Sequence, residues 1–250
     1  MIFSYKNTST LDLSFDSDTE ELIQNENLVI EETLVRRLGD MRALFKNADG
    51  YEDDRPLYYM YNGIYRPEHK ELFEKADIKY EYTLLLPSLT NGECMKAHGH
   101  VHGVSPITKT SYLEVYEVLG GEGYFELFKF DGDNCEVILL KVKTGDFVVI
   151  PPNYYHLSIN TGNVPFNFGD LIVCDAKSDY SLLKQYNGAP LFCMKDEQGN
   201  ISFEMNDNYS DKKINIKMVD AKTVPWDYPL MEVPLYAHFV SNPQYFDFLK

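Results

Sequence analysis

Positive charge is scarce in this sequence: 23 lysines and arginines stand against 39 aspartates and glutamates, a formal net charge of −16. Binding to nucleic acid needs a basic footprint, so no nucleic-acid partner is expected. An anionic ligand would have to be held by local donors against an unfavourable overall field. Cysteine is rare as well. Cys94, Cys135, Cys174 and Cys193 are widely spaced and form no C-x-x-C pair, which argues against a disulfide framework and for small core hydrophobes in a reducing compartment. No apolar run approaches the roughly 20 residues of a membrane-spanning helix, so no membrane partner is expected. The opening MIFSYKNTSTLDLSFDSDTEEL has no basic segment followed by an apolar stretch, so a secretory leader is not expected and a cytoplasmic location is. Internal repeats, low-complexity tracts and obvious linkers are also absent.

The 250 residues carry 44% hydrophobic and 25% charged residues, enough to bury one sizeable core, with extensions. Residues 1–17 have no clear period and suit an arm or an added strand. From Asp18 the sequence turns helical: Leu34, Leu38, Met41, Leu44 and Phe45 fall on one amphipathic stripe. NADGYEDDRP breaks it. Next come an aromatic segment, YYMYNGIY, interrupted by Asn-Gly, and PEHKELFEKADI, which suits a small helix.

From about Tyr80 the rhythm changes. YEYTLLLP, ECMKAHGHVH, YLEVYEVL, GYFELFKF, CEVILLKV, DFVVIPP, YYHLSIN and FNFGDLIVC alternate with turn residues. Eight short strands without a long helix between them predict an antiparallel sandwich or barrel. KFDGDNCEV reads as a hairpin turn. Beyond Asp175 the signal weakens, with strand-like LFCM and ISFEM flanking DEQGN and an aromatic-rich end.

Six histidines occur in the chain, and His98, His100 and His102 are bunched. Residues two apart on a strand face one side, so His100 and His102 can offer imidazoles to one point inside a barrel. His98 shares that parity only if the strand stays regular through Gly99. Glu114 sits in the next apolar strand and His156 follows PPNYY. Three imidazoles and one carboxylate suit a divalent transition metal, one of Fe, Mn, Ni, Co or Zn, with open positions for substrate.

The order and spacing of these residues resemble the two motifs of the cupin superfamily. Glu114 is followed by six residues and Gly121; Gly145 by five residues, Pro151, Pro152, Asn153, two tyrosines, His156, three residues and Asn160. Asn153 stands where cupins carry Gly, and Asn tolerates the same left-handed geometry. Eleven residues, GVSPITKTSYL, separate His102 from Glu114, a longer loop at the barrel mouth than the motif has. Within the cupins the chain resembles the archaeal-type glucose-6-phosphate isomerase family from about Tyr80 to Tyr180. Lys96-Ala97-His98-Gly99-His100-Val101-His102 is similar to its K-T-x-G-H-x-H stretch. Leu113 to Tyr116 match its E-V-Y segment, and Leu119, Gly121 and Gly123 its L-x-G-x-G. Ile150 to Asn160 match VPPxxxHxxxN, and Asp175, Ala176, Asp179 and Tyr180 match D-A-x-x-D-Y. The upstream YYMYNG is similar to the N-terminal part of bacterial relatives.

This resemblance implies an all-β cupin fold, a double-stranded β-helix or jelly-roll barrel, with an N-terminal helical and extended segment. It implies a helix-containing extension over 1–79 packed on the barrel, a barrel core over 80–190, and strands and tail over 191–250 that complete the barrel or a dimer interface. It further implies a homodimeric enzyme that interconverts glucose 6-phosphate and fructose 6-phosphate, with one metal per subunit, iron foremost, on His100, His102, Glu114 and His156. Thr83 and the backbone at Gly99 would hold the phosphate, with Glu114 and Tyr116 near the reacting carbons. Tyr116 and Tyr180 could bind sugar hydroxyls. Lys96 could attract phosphate or be a solvated strand lysine. Ala97 replaces the family's phosphate-binding Thr, and Ser178 replaces a His two residues before the late D-Y pair. These departures leave open a non-catalytic metal-cupin that binds a sugar or sugar phosphate. Another cupin enzyme, such as a dioxygenase, shares the ligand set. Cys94 reads as an inert buried thiol, and His69 and His238 as structural residues.

Overall fold

The period-two burial of strands such as IKYEYTLL organises the computed structural model, which describes residues 1–223 and 234–250. Strands β1 (Ile2–Ser4), β2 (Leu13–Asp16) and β3 (Glu21–Gln24) make a small antiparallel sheet. Next, β4 (Val29–Arg37), β5 (Pro56–Tyr65) and β6 (Ile78–Leu85) lie side by side, antiparallel. Short β7 (Leu89–Thr90), β8 (Glu93–Lys96) and β9 (Val101–His102) lead to β10 (Glu114–Gly120). The hairpin of β11 (Glu122–Asp131) and β12 (Asn134–Lys143) turns in KFDGDNCEV as expected. Then follow β13 (Phe147–Ile150), β14 (Tyr155–Asn160), β15 (Phe166–Val173) and β16 (Ser178–Asp179). Finally come β17 (Leu191–Lys195), β18 (Ile201–Met205) and β19 (Lys213–Asp220).

One sheet runs β13-β10-β15-β6-β5-β4; the other runs β18-β17-β8-β14-β11-β12-β19, with β19 parallel to β12. Tyr116 and Phe168 of the first sheet pack on Phe125 of the second, inside one buried cluster that draws on both sheets. This is the all-β cupin architecture. Each buried aromatic or aliphatic side chain there contributes about 1.5–3 kcal/mol. The outer face of the first sheet is also covered. Val115, Leu119, Tyr80 and Tyr82 pack under β2 and the C-terminal helix Leu235–Ser241. The outer face of the second sheet lies under the short helix Ser181–Gln185, with Leu157, Leu183 and Cys94 between, and Leu191 and Cys193 of its own strand β17 join that cluster. Among the described residues no helix is long and apolar enough to cross a membrane.

The N-terminal region departs from expectation. The helix expected from Asp18 through Phe45 is largely strand: β3 and β4 occupy it, and helical turns appear only at Leu38–Met41 and Arg42–Leu44. Val29, Ile30, Thr33 and Val35 are β-branched and find a partner in β5. Leu38, Met41, Leu44 and Phe45 are buried together as their spacing suggests, whereas Leu34 is 39% exposed. Asn62-Gly63 does not interrupt YYMYNGIY either, since β5 runs through it with Gly63 at φ +65°. The first sheet therefore draws strands from well before residue 80. Lys70–Ala76 is the small helix expected.

Candidate active site

Backbone pairing brings the four candidate ligands together. His156 lies on β14, and His100 pairs with it through two backbone hydrogen bonds, His100 N to His156 O at 3.1 Å and the reverse at 2.9 Å. His102 lies on β9, and Glu114 opens β10 on the facing sheet. One donor atom from each of His100, His102, Glu114 and His156 lies within 4.8 Å of the others. His100 Nε2 is 3.0 Å from His102 Nε2, and Glu114 Oε2 is 3.2 and 3.3 Å from Nε2 of His102 and His156. Bonds of about 2.1 Å to a transition metal put neighbouring ligand atoms about 3.0–3.4 Å apart, so these separations suit a shared ion.

Electrostatics agree with that donor set. Burial, then the neighbouring imidazoles, hold His100 well below its ordinary range, and burial lowers His156, so both rings favour the neutral, metal-ligating form. Burial alone would raise Glu114, but His102 and His156 hold it well below the carboxylate range. His102 Nδ1 lies 3.2 Å from the Tyr112 carbonyl. Donation to that oxygen leaves Nε2 as the lone-pair nitrogen. His156 Nε2 is buried without a well-formed hydrogen bond, despite Glu114 beside it. A buried nitrogen left without a partner is one that a shared metal ion could satisfy. Behind Glu114, burial and then the charges of Glu114 and Glu81 push Asp170 well above its usual range.

The departures from the motif are linked. Asn153 adopts φ +67° in the turn before His156. Its Oδ1 accepts from Ser111 N at 3.1 Å, and its own N–H donates to Ser111 Oγ at 2.6 Å. The residue that replaces Gly thus pins the long loop between His102 and Glu114, and that loop supplies the Tyr112 carbonyl to His102.

A cavity opens beside the histidines between the two sheets. Thr83, Gly99, Tyr116 and Tyr180 all line it, as do Tyr58, Ala97 and His98. Tyr116 donates to Glu114 Oε2 at 2.5 Å, and burial followed by that carboxylate keeps its phenol protonated far above its usual range. His98 and His100 meet the Tyr180 ring at 4.7 and 5.5 Å. Gly99 breaks the strand, with φ +77°, and a Cβ there would come within 2.6 Å of Leu183. That break turns His98 to the cavity. Lys96 does not line the cavity. It faces the other way, fully buried, with its ammonium donating to Glu93 and, at 2.6 Å, to the Leu44 carbonyl. Strand parity explains this, because Met95 and Ala97 take the inward positions. Cys94 faces outward with Lys96 and is buried in the outer cluster. His69 Nδ1 lies 2.8 Å from the Tyr236 hydroxyl and His238 packs on Phe246, both away from the cavity. Tyr58, Phe125 and Phe168 were not singled out by sequence as cavity residues, and His98 was grouped with the other histidines without a role. Tyr58 opens the YYMYNG segment, which assigned it no role, and its pairing beside β6 brings it to the wall.

A sequence profile of the family described as glucose-6-phosphate isomerase (GPI) matches residues 35–210. Among curated proteins, the chain is 29% identical over 180 residues to "Glucose-6-phosphate isomerase" of Thermococcus gammatolerans, covering 71% of this chain and 87% of that one. It is 31% identical over 155 residues to the protein of the same name from Thermococcus litoralis, covering 60% and 75%. Among solved structures, a cupin 2 conserved barrel domain protein from Rhodopseudomonas palustris matches at 14% identity and a TM-score of 0.33, covering 58% of this chain and 73% of that one.

Proposed function

The chain belongs to the glucose-6-phosphate isomerase family, and from that premise we propose that it interconverts glucose 6-phosphate and fructose 6-phosphate on a divalent metal held by His100, His102, Glu114 and His156. The observation that carries the reading is the convergence of those four side chains beside a cavity lined by Thr83, Gly99, Tyr116 and Tyr180. When bound, such a metal supplies Lewis-acid polarisation of the sugar's carbonyl and hydroxyl oxygens. Thr83 Oγ and the Gly99 backbone hold the phosphate, and the Tyr180 ring orients the sugar. Tyr116 keeps its proton and its bond to Glu114, so it fixes the carboxylate that faces the reacting carbons. Glu114 is the base for a proton on C2 in an enediol path, with basicity reduced by its ligand role. A direct hydride shift needs no base at carbon: hydrogen passes from C2 to C1 while the proton on O2 is passed to O1, and these residues would align C1 with C2. Iron as the metal, a homodimer, and a cytoplasmic place in glycolysis and gluconeogenesis complete the proposal.

Two features favour a second reading, a phosphosugar-binding protein without turnover. Ala97 offers the cavity no hydroxyl, and Ser178 sits exposed opposite His102, where the family's His would stand. A coupled assay of fructose 6-phosphate conversion after reconstitution with Fe, Mn, Ni, Co or Zn decides between them. Turnover is expected for the wild type, with a loss of roughly a hundredfold or more in His100→Ala. Robust activity in that variant would sink the metal-centred account. Phosphosugar binding with no turnover under any metal would leave the binding protein.

A further inference from the structure

A phosphate monoester needs a cation or a set of donors, and in a chain of net charge −16 that requirement is demanding. Thr83 offers the cavity one hydroxyl, and Ala97 removes another. Lys96, the cation nearest in sequence, is spent on Glu93. From the facing strand, however, Arg36 approaches the same wall. In β4 it stands directly opposite Tyr58 of β5, and paired residues point to one face of a sheet, so it shares the side of the cavity-lining Tyr58. The register slips between Arg36 and Arg37. A bulge of this kind re-aims a side chain and is common beside active sites.

The surroundings of the guanidinium are unusual. Its carbon lies 6.0 Å from the ring centre of Tyr180, and the Tyr58 phenol is close enough to act on it electrostatically. Both partners line the cavity. Arg36 Nε is buried without a hydrogen-bond partner, and among the described residues no carboxylate forms an ion pair with Arg36. Asp40 acts on it only through space, since that carboxylate accepts from Arg37 N. Tyr58 oxygen accepts from His98 N at 3.2 Å. Lys184 adds a second positive charge near His98. A half-buried arginine with an orphaned N–H and no carboxylate partner, beside a phenol on the cavity wall, suits a tetrahedral oxyanion.

We infer that Arg36, relayed by Tyr58, is the specificity-determining residue that anchors the substrate's phosphate and offsets the hydroxyl lost at Ala97. The inference rests on the sugar-phosphate reading for its ligand and not on turnover for its test. Calorimetric titration of fructose 6-phosphate into the metal-loaded protein is compared for wild type, Arg36→Gln and Arg36→Lys, with a thermal melt of each to certify folding. Removing a charged phosphate contact is expected to weaken binding roughly ten- to a hundredfold in Arg36→Gln, with partial recovery in Arg36→Lys, which restores charge but not the fork. Inorganic phosphate should compete with fructose 6-phosphate in the wild type and much less in Arg36→Gln. Equal affinity in wild type and Arg36→Gln would overturn the assignment while leaving the isomerase intact. So would a loss in Arg36→Gln matched by an equal loss of competition by unphosphorylated fructose, which marks a structural role. Tight binding that depends on Arg36, with no turnover in any variant, would retain the anchor and discard the isomerase. Absence of binding by the wild type would overturn both.

Discussion

Lys96 shows how a single alternation in strand parity separates a structural residue from a functional one. Its ammonium and the Glu93 carboxylate are both buried, and Glu93 also accepts Lys46 N at 2.7 Å. Removing one partner of a buried pair strands the other charge, which typically costs about 3–5 kcal/mol. Lys96→Met is therefore expected to lower unfolding stability by about 3 kcal/mol in chemical denaturation, while the KM for fructose 6-phosphate stays unchanged. A raised KM at unchanged stability would return Lys96 to the substrate site. At this scale the grouping of His100, His102, Glu114 and His156 was legible, and the structure brings those four together. Histidine is rare in the chain, so a cluster with matching Glu114 and His156 spacing stands out. The pairing of Arg36 with Tyr58 was not legible, because YYMYNG gave Tyr58 no role and only the pairing of β4 with β5 joins the two.

At the scale of elements, the strands from β6 to β15 could be read because apolar residues alternate and Gly, Asn and Pro punctuate them. The segment before them misled for a physical reason. Leu38, Met41, Leu44 and Phe45 repeat at helical spacing, yet two short helical turns and the loop after them satisfy that spacing as well as one long helix does. The β-branched residues upstream, together with a free edge on β5, decide for strand. The loop between His102 and Glu114 makes a second case. Its length was visible, its attachment was not. Asn153→Gly keeps the positive φ at no steric cost but loses the acceptor for Ser111 N. Because the loop holds the carbonyl that orients His102, metal affinity should fall about tenfold, measured by competition with a chelator, with little change in melting temperature of the apoprotein. Unchanged metal affinity would show that the loop holds its shape without that bond.

For the whole molecule, the two ends of the chain act on one face of the barrel. Residues 1–34 and 211–250 lie outside the family match, and parts of both cover the outer face of the first sheet. Glu117, on that outer face, accepts from Leu235 N at 2.7 Å. Burial pushes its carboxyl up to about 8, partly opposed by that backbone donor. A carboxyl raised on folding binds its proton more tightly in the native state. Its stabilisation is therefore full below the unfolded value of about 4.5 and is lost as pH rises through about 8. Glu126, buried under β17 and likewise raised to about 8, adds to the same trend. The melting temperature of the apoprotein should fall between about pH 4.5 and 8, the window these shifts define. Glu117→Gln, which retains an acceptor without a charge, should flatten part of that fall. An identical pH profile in the variant would refute the role given to Glu117.

The same covering fixes an order of assembly. Every strand that carries a candidate ligand precedes residue 161 in the chain, whereas the helix that shields the back of β10 begins at Leu235. Until that helix docks, Val115, Leu119, Tyr80 and Tyr82 have only the N-terminal segment around β2 as cover on their side of the sheet. A nascent chain can thus bring its histidines together while it still presents an adhesive apolar flank. Contacts this distant in sequence form slowly and leave intermediates prone to self-association. Docking of residues 235–249 is the step at which a correctly paired barrel stops being sticky.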